Sequence, residues 1–138
     1  MRAANILMSM AGKYVLDTNI VIGIFASDSS ILLELKSNPK IFLPNIVLGE
    51  LYYGAMLSAH SKANVRRIQD FAEKCSVLNC DEETALLYGK VKSSLKIIGK
   101  PIPENDIWIA ALSLRHKLKL ITRDRHFDFI DGLDKEEW

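Results

Sequence analysis

Short apolar segments alternate with longer segments of helical periodicity along most of the chain. Apolar runs rich in strand-forming residues predict β-strands at 13–17, 40–44, 76–80 and 119–122, and a short last strand is expected near 127–130. Between these runs, apolar residues recur every three to four positions, which predicts helices beginning near residues 19, 31, 45, 61, 81 and 106. Strands separated by helices are typical of an α/β domain with a parallel sheet and helices on both faces.

Polar and breaker residues mark several of the predicted element ends. Asn19 is the expected cap of the first helix, the SDSS segment at 27–30 caps the second, and Asp81 caps the long helix that ends near residue 98. The segment GKPIPEN at 99–105 contains one glycine and two prolines, so it predicts a loop.

Length and composition favour one globular domain. The chain has 138 residues, of which 49% are hydrophobic, enough to bury a core. We expect a loosely ordered N-terminal extension at 1–12 and the domain at 13–138. No apolar run reaches the roughly 18 residues that a membrane span requires, and the first residues lack the apolar stretch of a secretory signal, so a cytoplasmic protein outside the membrane is expected. The two cysteines, Cys75 and Cys80, are expected to be plain thiols, with a zinc site as the minor alternative.

Two acids follow predicted strands. Asp17 ends the first strand, and Asp124 lies two residues beyond the strand at 119–122. Ligands of open α/β sheets bind at the carboxyl ends of strands, so one interpretation is that these two acids converge there. The alternative is structural: Asp17 could cap a helix and Asp124 could form a turn.

Two further acids lie among apolar helical neighbours. Glu50 shares its helix side with Val47 and Tyr53, and an unpaired buried carboxylate costs several kcal/mol, so Glu50 should have a cation, a partner or water. Asp106 begins the helix before the strand at 119–122. Each of these acids also has a structural explanation. A negative charge is favourable at a helix N-terminus, which would account for Asp106 as well as for Glu104. A rotated helix would place Glu50 at the solvent boundary.

Four segments in order carry a family resemblance. They are VLDTNIVI, PNIVLGELYYGA, PIPENDIWIAA and LITRDRHF, followed by a terminal GL, and they span roughly 13–133. In order and surroundings they resemble the PIN-domain ribonucleases, and specifically the VapC-like toxins of toxin–antitoxin pairs. The resemblance implies a parallel sheet of about five strands in the order 3-2-1-4-5, with the acids gathered at one edge.

The resemblance also implies roles for individual residues and partners. The family's four acids map in order to Asp17, Glu50, Asp106 and Asp124. Its hydrogen-bonding residues around the metal shell match Thr18, Asn19 and Thr122. A homodimer is implied, together with an antitoxin that lays a segment across the acidic groove and presents an arginine to the carboxylates.

The chemistry of four converging carboxylates can be argued without the family. Such a cluster is strongly repulsive unless protons or cations intervene. All four candidates are oxygen ligands, with no cysteine or histidine expected nearby, so Mg²⁺ or Mn²⁺ is favoured over zinc. The expected activity is metal-assisted hydrolysis of RNA phosphodiester bonds. None of the three histidines, His60, His116 and His126, is assigned a catalytic role.

Charge distribution modestly favours a polyanionic substrate. The net charge is +1, but without the four candidate acids 18 basic residues face 13 acidic ones, which leaves the scaffold at +5. Arg123 and Arg125, beside Asp124, are candidate RNA contacts. A lysine row at positions 92, 96 and 100 is a weaker candidate, because a solvated helix face explains it as well.

Other function classes fit less well. A phosphatase of the haloacid dehalogenase type needs a second acid two positions after the first, where this chain has Asn19. A receiver domain needs an acid pair before its phosphoacceptor and a later lysine, an order that the chain lacks. The remaining alternative is a catalytically weak PIN-like protein that acts by binding a DNA-binding repressor.

Overall fold

The computed structural model describes residues 12–138 and contains a five-stranded parallel sheet in the order β3-β2-β1-β4-β5. The strands are β1 (Lys13–Leu16), β2 (Lys40–Pro44), β3 (Ser76–Leu78), β4 (Lys119–Ile121) and β5 (Lys135–Glu136). This confirms the α/β fold and the strand order that the resemblance implied.

Helical segments connect the strands. They are α1 (Thr18–Phe25), α2 (Ser29–Leu35), α3 (Asn45–Leu57), α4 (Ser61–Glu73), α5 (Glu82–Ile97), α6 (Glu104–His116) and a 3₁₀ helix (Arg125–Phe129). Between residues 12 and 138, no single helix is both long and apolar enough to cross a membrane, although the bent pair α1 and α2 passes that test by length and composition.

The neighbouring strands β1 and β4 bring together the residues that follow them in the chain. Val15 and Leu16 of β1 and Leu120 and Ile121 of β4 are all fully buried. Since neighbouring residues of a strand point to opposite faces, both faces of the sheet are covered. Leu16 pairs in parallel register with Ile121, so the residues that follow these two strands emerge at the same edge.

The ends of several helices match the sequence, and others do not. Asp81 caps α5 as predicted, since its carboxylate accepts a 2.8 Å hydrogen bond from the backbone N–H of Thr84. The predicted cap Asn19 is wrong: α1 begins at Thr18, and its cap is Asp17, two residues before the predicted one. Helix α6 begins at Glu104, directly after Pro103, so the predicted loop at 99–105 is two residues too long. Proline fits at the start of a helix because the backbone N–H that it lacks would have no acceptor within the helix there.

The predicted last strand at 127–130 is also wrong. Residues 125–129 form the 3₁₀ helix, and the last strand lies further on, at 135–136. One hydrogen bond and one buried side chain explain the difference. The Asp124 carboxylate accepts a 2.9 Å hydrogen bond from the His126 backbone N–H, and the Phe127 side chain is fully buried. The expected N-terminal extension at 1–12 lies, apart from Gly12, outside the described residues.

Candidate functional site

Asp17 forms the floor of an acidic cluster at the carboxyl edge of β1 and β4. Its side chain is almost fully buried, with 4% of the residue exposed. One carboxylate oxygen accepts a 2.7 Å hydrogen bond from Thr122 Oγ1, and the other accepts a 2.8 Å bond from the Thr18 backbone N–H. Burial raises the pKa of Asp17, the bonds from Thr122 and Thr18 oppose that shift, and the negative charge of Asp124 adds to it. Asp17 is therefore a helix cap and a cluster member at once, so the two sequence interpretations do not exclude each other.

Thr122 links two acids of the cluster. Its hydroxyl donates to Asp17, and the same oxygen accepts a 3.0 Å hydrogen bond from the Asp124 backbone N–H. Thr122 directly follows β4 and is 4% exposed. A single buried hydroxyl thus fixes the end of β1 relative to the segment that carries Asp124.

Glu50 reaches the cluster from α3. Its Oε1 accepts a 3.0 Å hydrogen bond from Thr18 Oγ1, and the residue is half-buried. Burial raises the pKa of Glu50, the Thr18 hydrogen bond opposes this, and the Asp17 carboxylate raises it further. Thr18 contacts both acids, Glu50 through its hydroxyl and Asp17 through its backbone N–H, and so holds the Glu50 carboxylate near Asp17.

Asp106 lies in the first turn of α6, with only 14% of its side chain exposed. Burial raises its pKa to about 6; a hydrogen bond with His126 lowers it, and the charges of Asp17 and Asp124 raise it. Asp17 acts on the pKa values of Glu50 and Asp106, and Asp124 acts on those of Asp17 and Asp106, so the four predicted residues lie within electrostatic range of one another through these pairs. Ionised carboxylates this close repel one another, so a site of this kind favours a bound cation.

His126 is a cluster member that the sequence interpretation missed. Its Nδ1 lies 3.1 Å from Asp106 Oδ2 and 3.0 Å from Asp124 Oδ1. The expectation that no histidine lies near the acids is therefore wrong. The signal that could have found it is its spacing of two residues from Asp124, because an aspartate often forms a turn by accepting a hydrogen bond from the backbone N–H two residues on, as Asp124 does from His126.

The residues next to the cluster have different contacts. Arg123 is anchored away from it: Nε donates to the Trp138 carbonyl at 2.8 Å, and the two Nη atoms donate to Asp28 and Ser30 at 2.8 and 2.9 Å. Arg125 is exposed.

Glu104, the other acid at the start of α6, pairs with Lys92, the first residue of the lysine row. The Glu104 carboxylate accepts hydrogen bonds from Lys92 Nζ and from the Tyr88 hydroxyl. The Lys92 hydrogen bond, and then that of Tyr88, lower the pKa of Glu104. Glu104 therefore has a structural partner outside the acidic cluster.

Comparison with known proteins agrees with the geometry. A family model described as PIN domain matches residues 14–133. The chain is 36% identical over 129 residues to a protein named ribonuclease VapC2 of Haemophilus influenzae, covering 91% of this chain and 98% of that protein. It is 30% identical over 129 residues to the tRNA(fMet)-specific endonuclease VapC of Shigella flexneri, with the same coverage.

A solved structure resembles the whole fold. The structure of DNA-bound VapBC from Salmonella typhimurium superposes with a TM-score of 0.85 and 28% identity, covering 92% of this chain and 98% of that one. Fold, acidic edge and sequence similarity coincide over the same residues. The chain therefore belongs to the PIN-domain family and, within it, to the VapC-like ribonucleases.

Proposed function

We propose that this protein is a metal-dependent endoribonuclease that hydrolyses RNA phosphodiester bonds as the toxin of a toxin–antitoxin pair. The observation that carries the proposal is the meeting of Asp17, Glu50, Asp106 and Asp124 at one sheet edge, in a chain whose relatives are named ribonucleases. Those names do not favour the alternative of a protein that acts by binding alone.

The donor set fits a hard divalent cation. It offers several carboxylate oxygens whose pKa values are raised by burial and by one another, so a positive ion would relieve their repulsion. Oxygen-rich sites of this kind suit Mg²⁺, with Mn²⁺ as a substitute. When bound, the ion supplies Lewis acidity next to the scissile phosphate. Asp17 and Asp106 are the principal ligands in this proposal, and Glu50 and Asp124 complete the shell or orient water.

The neighbouring hydroxyls keep these acids in place. Thr122 fixes one oxygen of Asp17, and Thr18 fixes Glu50, so neither carboxylate has to be ordered when RNA arrives. Asn19 is exposed beside them on α1 and is the third predicted residue of this supporting set. Preorganisation of this kind lowers the reorganisation that the reaction requires.

RNA contact is assigned to the rim of the cluster. Arg125 is exposed close to Asp124 and is the better candidate of the two predicted arginines. Arg123 already donates to three partners, so its contribution to RNA binding would come at the expense of those bonds. A nuclease that cuts cellular RNA would act in the cytoplasm.

An antitoxin and a second copy are the proposed partners. Similar solved structures include VapBC-1 of nontypeable Haemophilus influenzae, and the cluster of this chain would accept a cationic side chain from such an antitoxin. A homodimer is proposed on the family resemblance, and sedimentation of the purified protein at micromolar concentration tests it.

Cleavage of a defined RNA tests the proposed activity. Purified protein should produce fragments with Mg²⁺ or Mn²⁺ and none after chelation. Asp17→Asn should abolish cleavage while keeping the circular dichroism spectrum, because the amide preserves the size of the side chain. Asp131→Asn, which changes an exposed acid in a turn outside the cluster, should cleave at the wild-type rate. Undiminished cleavage by Asp17→Asn, or by wild type in excess chelator, would refute the assignment.

A further inference from the structure

The imidazole of His126 occupies a position that the proposed function does not use. Its Nδ1 contacts one oxygen from each of two acids, Asp106 at 3.1 Å and Asp124 at 3.0 Å. These three donor atoms all lie within 4.8 Å of one another. The Nδ1 atom of His126 therefore lies among the acid oxygens of the cluster.

The separations match the coordination sphere of a small divalent ion. In an octahedral site with metal–ligand distances of about 2.1 Å, adjacent ligand atoms lie about 3.0 Å apart. Both distances from Nδ1 to the acid oxygens are those of a hydrogen bond or ion pair in this structure, and they also equal the length of such an edge, so an ion would replace the proton on Nδ1. One ion could therefore bind all three atoms with little movement of the side chains.

The backbone around His126 holds the ring in this place. Its N–H donates to Asp124 Oδ1 at 2.9 Å within the 3₁₀ helix, and the next residue, Phe127, is fully buried. The side chain itself is 50% exposed, so solvent reaches the ring while Nδ1 contacts the acids. A ligand anchored on one side and accessible on the other suits a site that exchanges metal and admits a substrate.

We propose that His126 is a nitrogen ligand of the metal site and shifts its preference from Mg²⁺ toward first-row transition ions, of which Mn²⁺ is the probe. This inference rests on the proposed metal-dependent function and specifies its ion. Mg²⁺ is held almost entirely by oxygen ligands, whereas imidazole is a good ligand for transition metals. A site of carboxylates plus one imidazole therefore discriminates between the two ions more strongly than carboxylates alone.

Metal binding to the purified full-length chain tests the inference without reference to activity. Titration calorimetry measures the dissociation constants of Mn²⁺ and Mg²⁺ for wild type, His126→Asn and His126→Ala. We expect the Mn²⁺ constant to rise by about tenfold or more in both variants and the Mg²⁺ constant to change little in His126→Asn, which offers an oxygen near the position of Nδ1. His116→Asn, at the exposed end of α6, is the matched control and should behave as wild type.

Pulsed electron paramagnetic resonance of bound Mn²⁺ gives a direct signature. Wild type should show hyperfine coupling to a directly bound nitrogen, and both His126 variants should lack it. Absence of that coupling in wild type, or equal changes in Mn²⁺ and Mg²⁺ affinity on substitution, would overturn the inference. If RNA cleavage with Mg²⁺ persists in that case, the proposed nuclease function stands and only the nitrogen ligand is rejected. If wild type binds neither ion and cleaves nothing, both proposals fail.

Discussion

Removal of one carboxylate from the cluster should stabilise the metal-free protein. The pKa of Asp106 is raised by burial from an ordinary value of 3.8 to about 6. A difference of this size corresponds to about 3 kcal/mol at about 1.4 kcal/mol per pH unit. The carboxylate keeps partial contact with solvent, which screens its charge, so we expect Asp106→Asn to raise the free energy of unfolding by about 1 to 2 kcal/mol at pH 8.

The pH dependence of this effect has a defined sign. A raised pKa means that the folded state binds the proton more tightly than the unfolded state, so wild type loses stability as pH rises from about 4 to above 6. The variant lacks this titration, so its advantage should be absent at pH 4 and complete at pH 8. Urea denaturation in chelator at both pH values measures it, with Asp131→Asn as the control for loss of an exposed acid.

Addition of a divalent ion should reverse the order of stability. An ion that binds only the folded state stabilises wild type by RT ln(1 + [L]/Kd), where [L] is the free ion concentration, and Asp106→Asn, which binds the ion more weakly, should gain much less. Urea denaturation repeated with saturating Mg²⁺ therefore gives a second, independent comparison. Wild type that is as stable as Asp106→Asn, or more so, at pH 8 without metal would refute the view that burial and the neighbouring acids destabilise the ionised Asp106 carboxylate.

Three further predictions concern stability. Thr122→Val should lower the free energy of unfolding by about 1.5 to 3 kcal/mol in urea denaturation, because a hydrogen bond to a buried carboxylate is lost, whereas Thr122→Ser should stay near wild type. Asp28→Asn should melt at a lower temperature than wild type at pH 7, since the Arg123 guanidinium holds the pKa of Asp28 well below its usual range; the two melting curves, followed by circular dichroism, should converge as pH falls below about 4. Phe127→Ala should lower the free energy of unfolding, measured by chemical denaturation, by about 3 to 5 kcal/mol. Phe129 is 45% exposed, so Phe129→Ala should lower it by less than about 1 kcal/mol.

The middle of the sheet was accessible to sequence reasoning because β1 and β4 are buried on both faces. Such strands read as nearly continuous apolar runs, as at 13–17 and 119–122, and segments of helical periodicity separate them. The weaker part is the last strand. β5 has only two residues, both exposed, so neither length nor hydrophobicity marks it, and the apolar residues near 127–130 drew the prediction to a segment that is a 3₁₀ helix.

The site was accessible only in outline. Acids placed after strands or within apolar helix faces stand out in a sequence, and Asp17, Glu50 and Asp106 were found in this way. The hydrogen bonds that hold them could not be derived from spacing, because Thr122 and Asp17 are 105 positions apart. Only the parallel register of β1 and β4 makes them neighbours.

The segment after β4 shows why proximity in sequence misleads. Thr122, Asp124 and His126 all contact the acidic cluster, whereas Arg123 extends to Asp28 on another surface. Asp124 caps the 3₁₀ helix, and the hydrogen bond that its carboxylate accepts from the His126 backbone N–H brings the imidazole beside the acids. Arg123 lies before this turn and pairs elsewhere. The turn that Asp124 caps, more than local charge, therefore determines which side chains of this segment lie beside the acidic cluster.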